Sequence, residues 1–172
     1  MTRPAYRSKE LPVGELRGRH VFAPSIVGSS ASILKEYAQH GHEGLTLLLG
    51  VRDSSASHYL SVAAPKTLHG PRSVLFDAQS FGAVVRSCRE HNLAVLAQLH
   101  SHPGDDARHS DGDDELIPLP FEGMLSLVVP RYGAGLEVLE DFVVHQFQDG
   151  HWVHTPDATL HALPTLLDLR HG

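Results

Sequence analysis

The sequence predicts a single α/β (α+β) domain, and three observations predict it. Apolar residues recur at helical spacing in two stretches, short apolar runs of strand length lie between and after them, and no Pro/Gly/Ser-rich linker or repeat divides the chain. At 172 residues, 41% of them hydrophobic, the chain has the length of about one domain and enough apolar surface for one core.

The elements follow in order. The first twenty residues are polar, with Pro4 and Pro12, and read as an extended lead-in or edge segment. A helix is predicted over 29–40: Ser29 and Ser30 can cap it, Ile33, Leu34, Tyr37 and Ala38 form one stripe, and Gly41 stops it. Leu45 to Val51 is a continuous apolar run too short for a globular helix, hence a strand buried on both faces. Tyr59 to Ala64 alternates and reads as a second strand, joined to the first by the turn-rich stretch 52–58. Residues 66–77, with Gly70-Pro71, suit an exposed loop. A second helix is predicted over 78–91, where Phe81, Val84, Val85 and Cys88 share a face, so Cys88 belongs to the core. Leu93 to Leu99 and Met124 to Pro130 read as strands, and Asp149-Gly150 between apolar runs is a two-residue hairpin signal. Trp152 then packs on that hairpin. In the tail, Leu160, Leu163, Leu166 and Leu167 have helical spacing, interrupted at Pro164.

Composition narrows the function classes. A net charge of -6 provides no basic excess for phosphates or anionic lipids, so neither nucleic acid nor a membrane surface is an expected partner. The first twenty residues hold no apolar core of the roughly 7–15 residues a signal peptide needs, no stretch approaches the roughly 18 apolar residues of a membrane span, and the single cysteine excludes an intramolecular disulfide or a multi-cysteine metal cluster. The expectation is a soluble, cytoplasmic protein. Histidine is abundant, 14 residues against 14 Lys plus Arg. Most are scattered singly and are read as surface or core residues, so only spacing is informative.

Spacing singles out one segment. His100 and His102 close an apolar strand, and strand alternation places both imidazoles on one face. The polar stretch after them holds Ser110 and Asp113, a capping-box pattern for a short helix that Pro118 ends, with Asp113 one turn in. Two imidazoles and one carboxylate are a donor set suited to zinc, with a fourth position left for water. His40 and His42 form a second His-x-His, but they straddle Gly41 after a helix, where no alternation forces the rings together. The zincin pattern begun by His42-Glu43 fails at Thr46.

His100-Ser101-His102-Pro103, six residues, Ser110, two residues and Asp113 resemble the H-x-H-P-x6-S-x2-D signature of the JAMM metalloproteases, the catalytic branch of the JAB/MPN family. Glu43, seven residues before Gly50, resembles that family's upstream glutamate. The likeness covers roughly residues 20–155 and implies a single JAB/MPN-like domain, a curved mixed β-sheet flanked by helices. It implies one Zn2+ per chain, with a bound water, held by His100, His102 and Asp113. Glu43 would be the general base and then acid, and Ser110 would donate to the oxyanion or orient the water. Ser101 faces away from the ligands and is expected to be structural, while His109, Asp111 and Asp114 are expected at the surface, one of them at most behind the ligands.

The resemblance further implies hydrolysis of the amide bond after the terminal glycine of a ubiquitin-like protein, by deconjugation or precursor processing. Such a tail would pair with a strand edge near the zinc, with the 66–77 segment as a wall of its groove. The loops are shorter than in polyubiquitin-cleaving members, which resembles compact bacterial forms associated with E1/E2-like conjugation enzymes, including defence systems. The alternatives are a peptidase releasing a small amino acid from a sulfur-carrier protein and a non-catalytic scaffold of the same fold.

Overall fold

A computed structural model describes residues 10–117 and 119–165. The first helix, α1, spans Ser25–Ala38 and follows a short strand, β1 (His20–Phe22). It starts four residues before the predicted cap. Its buried stripe is Ile26, Ser30 and Leu34, and the serine in the middle hides the apolar period from the sequence. Gly41, at φ 66, reverses the chain after it, a conformation glycine adopts without strain.

Strands β2 (Leu45–Arg52) and β3 (Ser57–Ala63) form an antiparallel pair, and Asp53 closes their turn by accepting from the N–H groups of Ser55 and Ala56. The 66–77 segment is not a loop. It forms a separate hairpin of β4 (Leu68–Gly70) and β5 (Ser73–Leu75), turning at Pro71 and Arg72. Three-residue strands with only Val74 buried carry too little alternation to register in the sequence. Helix α2 (Ala78–Glu90) is capped by the Asp77 carboxylate, which accepts from Ser80 N–H; such a cap contributes about 1 kcal/mol.

The remaining strands are β6 (Ala94–Ser101), β7 (Leu125–Val129), β8 (Val143–Gln148), β9 (His151–His154) and β10 (His161–Ala162). They join one eight-stranded mixed sheet in the order β10-β1-β3-β2-β6-β7-β8-β9. Asp149 and Gly150, both at positive φ, make the β8–β9 turn, and Trp152 pairs with Phe147 across it as expected. The tail is no helix over its described part: β10 runs parallel to β1, and Leu163 N–H donates to the Phe22 carbonyl, a sheet pairing that outweighs the helical spacing. Leu166, Leu167 and Pro118 lie outside the described residues.

Each face of the sheet has its own core. Ile26 and Leu34 of α1 pack with Leu48, Leu99, Leu125 and Leu127, whereas Val84 and Cys88 of α2 pack with Leu47, Leu49 and Trp152. Burial on both faces explains the unbroken apolar run of β2. At the centre, β6 lies between antiparallel β2 and parallel β7, so its end is fixed from both sides. No helix among the described residues is long and apolar enough to cross a membrane.

Candidate metal centre

His100 is the penultimate residue of β6, and His102 follows that strand, pinned by its N–H to the Val129 carbonyl. Both rings lie on one face, with Nε2 atoms 3.2 Å apart. Asp113 reaches them from the loop that follows: its Oδ1 stands 3.2 Å from His100 Nε2 and its Oδ2 3.2 Å from His102 Nε2. All three residues are buried.

The chemistry of this donor set fits a cation. His102 Nδ1 lies 2.9 Å from the Asp106 carbonyl, which can only accept, so Nδ1 carries the proton and Nε2 turns a lone pair inward. Lone pairs facing one another at this range repel unless a positive charge lies between them. Ligand atoms bound to one zinc at about 2.0–2.1 Å in tetrahedral geometry lie about 3.3 Å apart, close to the separations here. Among the described residues, these are the group of three or more His, Cys, Asp or Glu side chains whose ligand atoms converge. Burial works against the Asp113 charge, but the flanking imidazoles hold its carboxyl well below the usual range; burial likewise opposes a charged His102, yet Asp113 keeps that ring's pKa raised.

The loop is fastened locally. Ser110 and Asp113 exchange hydrogen bonds: the Ser110 N–H donates to Asp113 Oδ2, and Ser110 Oγ accepts from the Asp113 N–H. The capping-box pairing is therefore present, but the helix is a single 3-10 turn, Asp113–Glu115, which Asp113 opens rather than enters one turn in. After β7, Arg131 and Tyr132 adopt left-handed φ of 51 and 55, a strained backbone for non-glycine residues. That turn brings the Tyr132 N–H to the His102 carbonyl and the Arg131 N–H to the Gly104 carbonyl.

Glu43 lies just before β2, facing His102 and Asp113 across a cavity of about 220 Å³ also walled by Arg72, Ser73 and Ser110. A larger hollow, about 660 Å³ beside Leu11, Phe147 and Trp152, has no converging donor set among the described residues. The Glu43 N–H donates to the Gly70 carbonyl of β4. Its neighbour Gly44 is held by Ser101, whose Oγ accepts from the Gly44 N–H and whose N–H donates to the Gly44 carbonyl. A side chain on Gly44 would meet Tyr37 and Leu34 at under 3.0 Å, so only glycine lets α1 close over this joint. Burial pushes the Glu43 carboxyl up to about 7, against the pull of His102, with Asp113 adding to the rise and Arg72 opposing it.

Prok-JAB, the family of prokaryotic homologs of the JAB domain, matches residues 30–136, a segment that contains Glu43, His100, His102, Ser110 and Asp113. The chain belongs to this family. The Prok-JAB chain is also 34% identical over 103 residues to a probable metalloprotease, y4jG, of Sinorhizobium fredii, an alignment covering 58% of this chain and 63% of that protein's length. Its fold is similar to two solution structures. One is from Desulfitobacterium hafniense (TM-score 0.64, 17% identity, 88% of this chain and 96% of that one), the other from Salinibacter ruber (TM-score 0.57, 21% identity, 87% and 95%).

Four of the five predicted site residues of this Prok-JAB domain, Glu43, His102, Ser110 and Asp113, line one cavity, and the fifth, His100, meets His102 and Asp113 at 3.2 Å. The structure corrects the placement of His109, expected at the surface, which is 1% exposed. Its Nδ1 lies 2.8 Å from Asp114 Oδ1 and its Nε2 2.9 Å from Ser126 Oγ. Burial pushes its pKa down, opposed by Asp114 and Asp113. Asp114 is half-buried, and Asp111 is exposed as expected. The partial signal for a buried His109 was Gln98 and Ser126, each set between apolar residues of its strand; their pairing across β6 and β7 is what the sequence does not show. His42 finds its partner outside its own pair, its Nδ1 lying 2.8 Å from His69 Nδ1 on β4.

Proposed function

We propose that this protein is a zinc-dependent isopeptidase or peptidase that cleaves the amide bond after the C-terminal glycine of a ubiquitin-like modifier. The observation that carries the reading is the convergence of two imidazoles and a carboxylate opposite Glu43, whose raised pKa suits it to exchange protons near neutrality. The family and the name of the Sinorhizobium relative support a metallopeptidase.

His100, His102 and Asp113 would hold the ion. When bound, zinc supplies Lewis acidity and lowers the pKa of water toward about 7. Glu43 takes a proton from the attacking water and returns it to the departing amine; the C–N bond breaks, and transfer of the water's second proton leaves a carboxylate and an ammonium group as products. Ser110 donates a hydrogen bond to the developing oxyanion. Ser73 and Leu75 of β5 line the cavity, and among the described residues β5 is paired only by β4. An extended glycine-ended tail can add to that edge as a further strand, with small residues favoured beside the scissile bond. E1/E2-like conjugation enzymes are the expected partners, and the buried lone Cys88 supports a cytoplasmic setting.

Arg72 favours a second reading. A guanidinium on the cavity wall suits the α-carboxylate of a single amino acid released from a sulfur-carrier protein. The complete set Glu43, His100, His102, Ser110 and Asp113 stands against a non-catalytic scaffold. The test is cleavage of a ubiquitin-like protein fused through its terminal glycine to a reporter, beside the same protein ending in one extra amino acid. Cleavage abolished by chelator and restored by zinc is expected. Preference for the single amino acid selects the second reading, and cleavage indifferent to chelator refutes both.

A further inference from the structure

Gln98 of β6, Ser126 of β7, His145 of β8 and His154 of β9 stand in register, one polar row across four neighbouring strands. Gln98 and Ser126 are fully buried, in strands whose neighbours are leucines and valines. The His109 ring covers the row, its centroid 4.9 Å from His145 and 5.2 Å from Trp152, which fix its orientation.

The hydrogen bonds along the row have one consistent direction. The Asp114 carboxylate accepts, so His109 Nδ1 carries the proton and Nε2 is an acceptor. Ser126 Oγ–H then donates to His109 Nε2, leaving the serine oxygen to accept from Gln98 Nε2 at 2.9 Å. The same Gln98 amide donates at 3.4 Å to the main-chain carbonyl of Asp113. The chain Asp114, His109, Ser126, Gln98 thus starts beside Asp113 and returns to it, tying the loop to the two central strands.

We propose that His109 is a positioning residue for the metal centre, clamping the loop through Asp114, Ser126 and Gln98 so that the Asp113 carboxylate meets His100 and His102 before an ion arrives. The proposal rests on the metal-centre reading and deepens it. Asp113 is the ligand supplied by the loop and its single 3-10 turn, whereas His100 lies in β6 and His102 directly after it, bonded to β7 through Val129, so Asp113 gains most from support behind it. Partners of this kind around a metal alter affinity by about 10–100-fold.

The test is zinc affinity, measured by competition with a chromophoric chelator, with the visible spectrum of the cobalt(II) form as a second readout. His109→Phe and Ser126→Ala should each weaken zinc binding about 10–100-fold and change the cobalt band as Asp113 leaves the coordination sphere. Asp114 is half-buried, so its variants keep the proposal testable if His109→Phe does not fold. Asp114→Ala should bind zinc about tenfold more weakly, while Asp114→Asn, whose amide oxygen accepts the same Nδ1 proton, should stay within about threefold of wild type. Wild-type affinity in Ser126→Ala and Asp114→Ala, or equal losses in Asp114→Asn and Asp114→Ala, overturns the clamp. A wild-type protein that takes up no zinc overturns the metal centre and the clamp together, a result distinct from either.

Discussion

Two His-x-His pairs occur in this chain, and they end in opposite circumstances. His100 and His102 are 1% and 3% exposed, with Nε2 atoms 3.2 Å apart and a carboxylate between them. His40 and His42 lie at the end of α1 on either side of Gly41, with ring centroids 6.3 Å apart, and His42 turns instead to His69. The same spacing means convergence where the backbone repeats every two residues and nothing where a left-handed glycine reverses the chain. A metal pair is therefore recognised by its backbone first and its histidines second.

Substitutions at the two pairs should separate them most sharply. His100→Ala is expected to abolish zinc uptake at stoichiometric concentration and to lower reporter cleavage at least about 1,000-fold, read by elemental analysis and initial rates. Retained cleavage would place the ion elsewhere. Glu43→Gln should divide the functions within the site: about 100–10,000-fold slower cleavage with zinc content unchanged. Ser110→Ala should cost about 100–1,000-fold in turnover through the lost oxyanion donor, chiefly in kcat.

A pH profile sharpens the comparison further. Burial raises the Glu43 carboxyl to about 7, so its proton-accepting form is depleted as pH falls through that value. The cleavage rate should therefore rise with pH along an acid limb at or below about 7, since a bound dication favours the carboxylate. An acid limb that persists unchanged in Glu43→Gln would remove Glu43 from the proton transfer. The smallest effect is expected at the other pair: His42→Ala should leave zinc stoichiometry at one and alter turnover less than about threefold, because the exposed His42–His69 contact is not part of the donor set.

Much of the site was legible because strand alternation is rigid. Leu93 to Leu99 marks β6, and its end determines where His100 and His102 point; Glu43, which precedes β2, was found through its resemblance to the family's upstream glutamate and not through alternation. The β4–β5 hairpin was not legible, since its strands bury little and its Gly70-Pro71 turn resembles a loop. Nor was the sheet pairing of β10, which depends on the distant β1 rather than on its own leucine spacing. His109 was misplaced for a related reason. It sits in a stretch of acids that reads as solvated, and only the register of Gln98 with Ser126 across β6 and β7 creates the buried partner that draws it inside.

The most direct test of the metal centre is X-ray absorption at the zinc edge of the loaded protein. Two imidazole nitrogens and oxygen donors at about 2.0–2.2 Å, lost together in His100→Ala, are predicted. A sulfur at about 2.3 Å, or an ion that survives His100→Ala unchanged, would contradict the account.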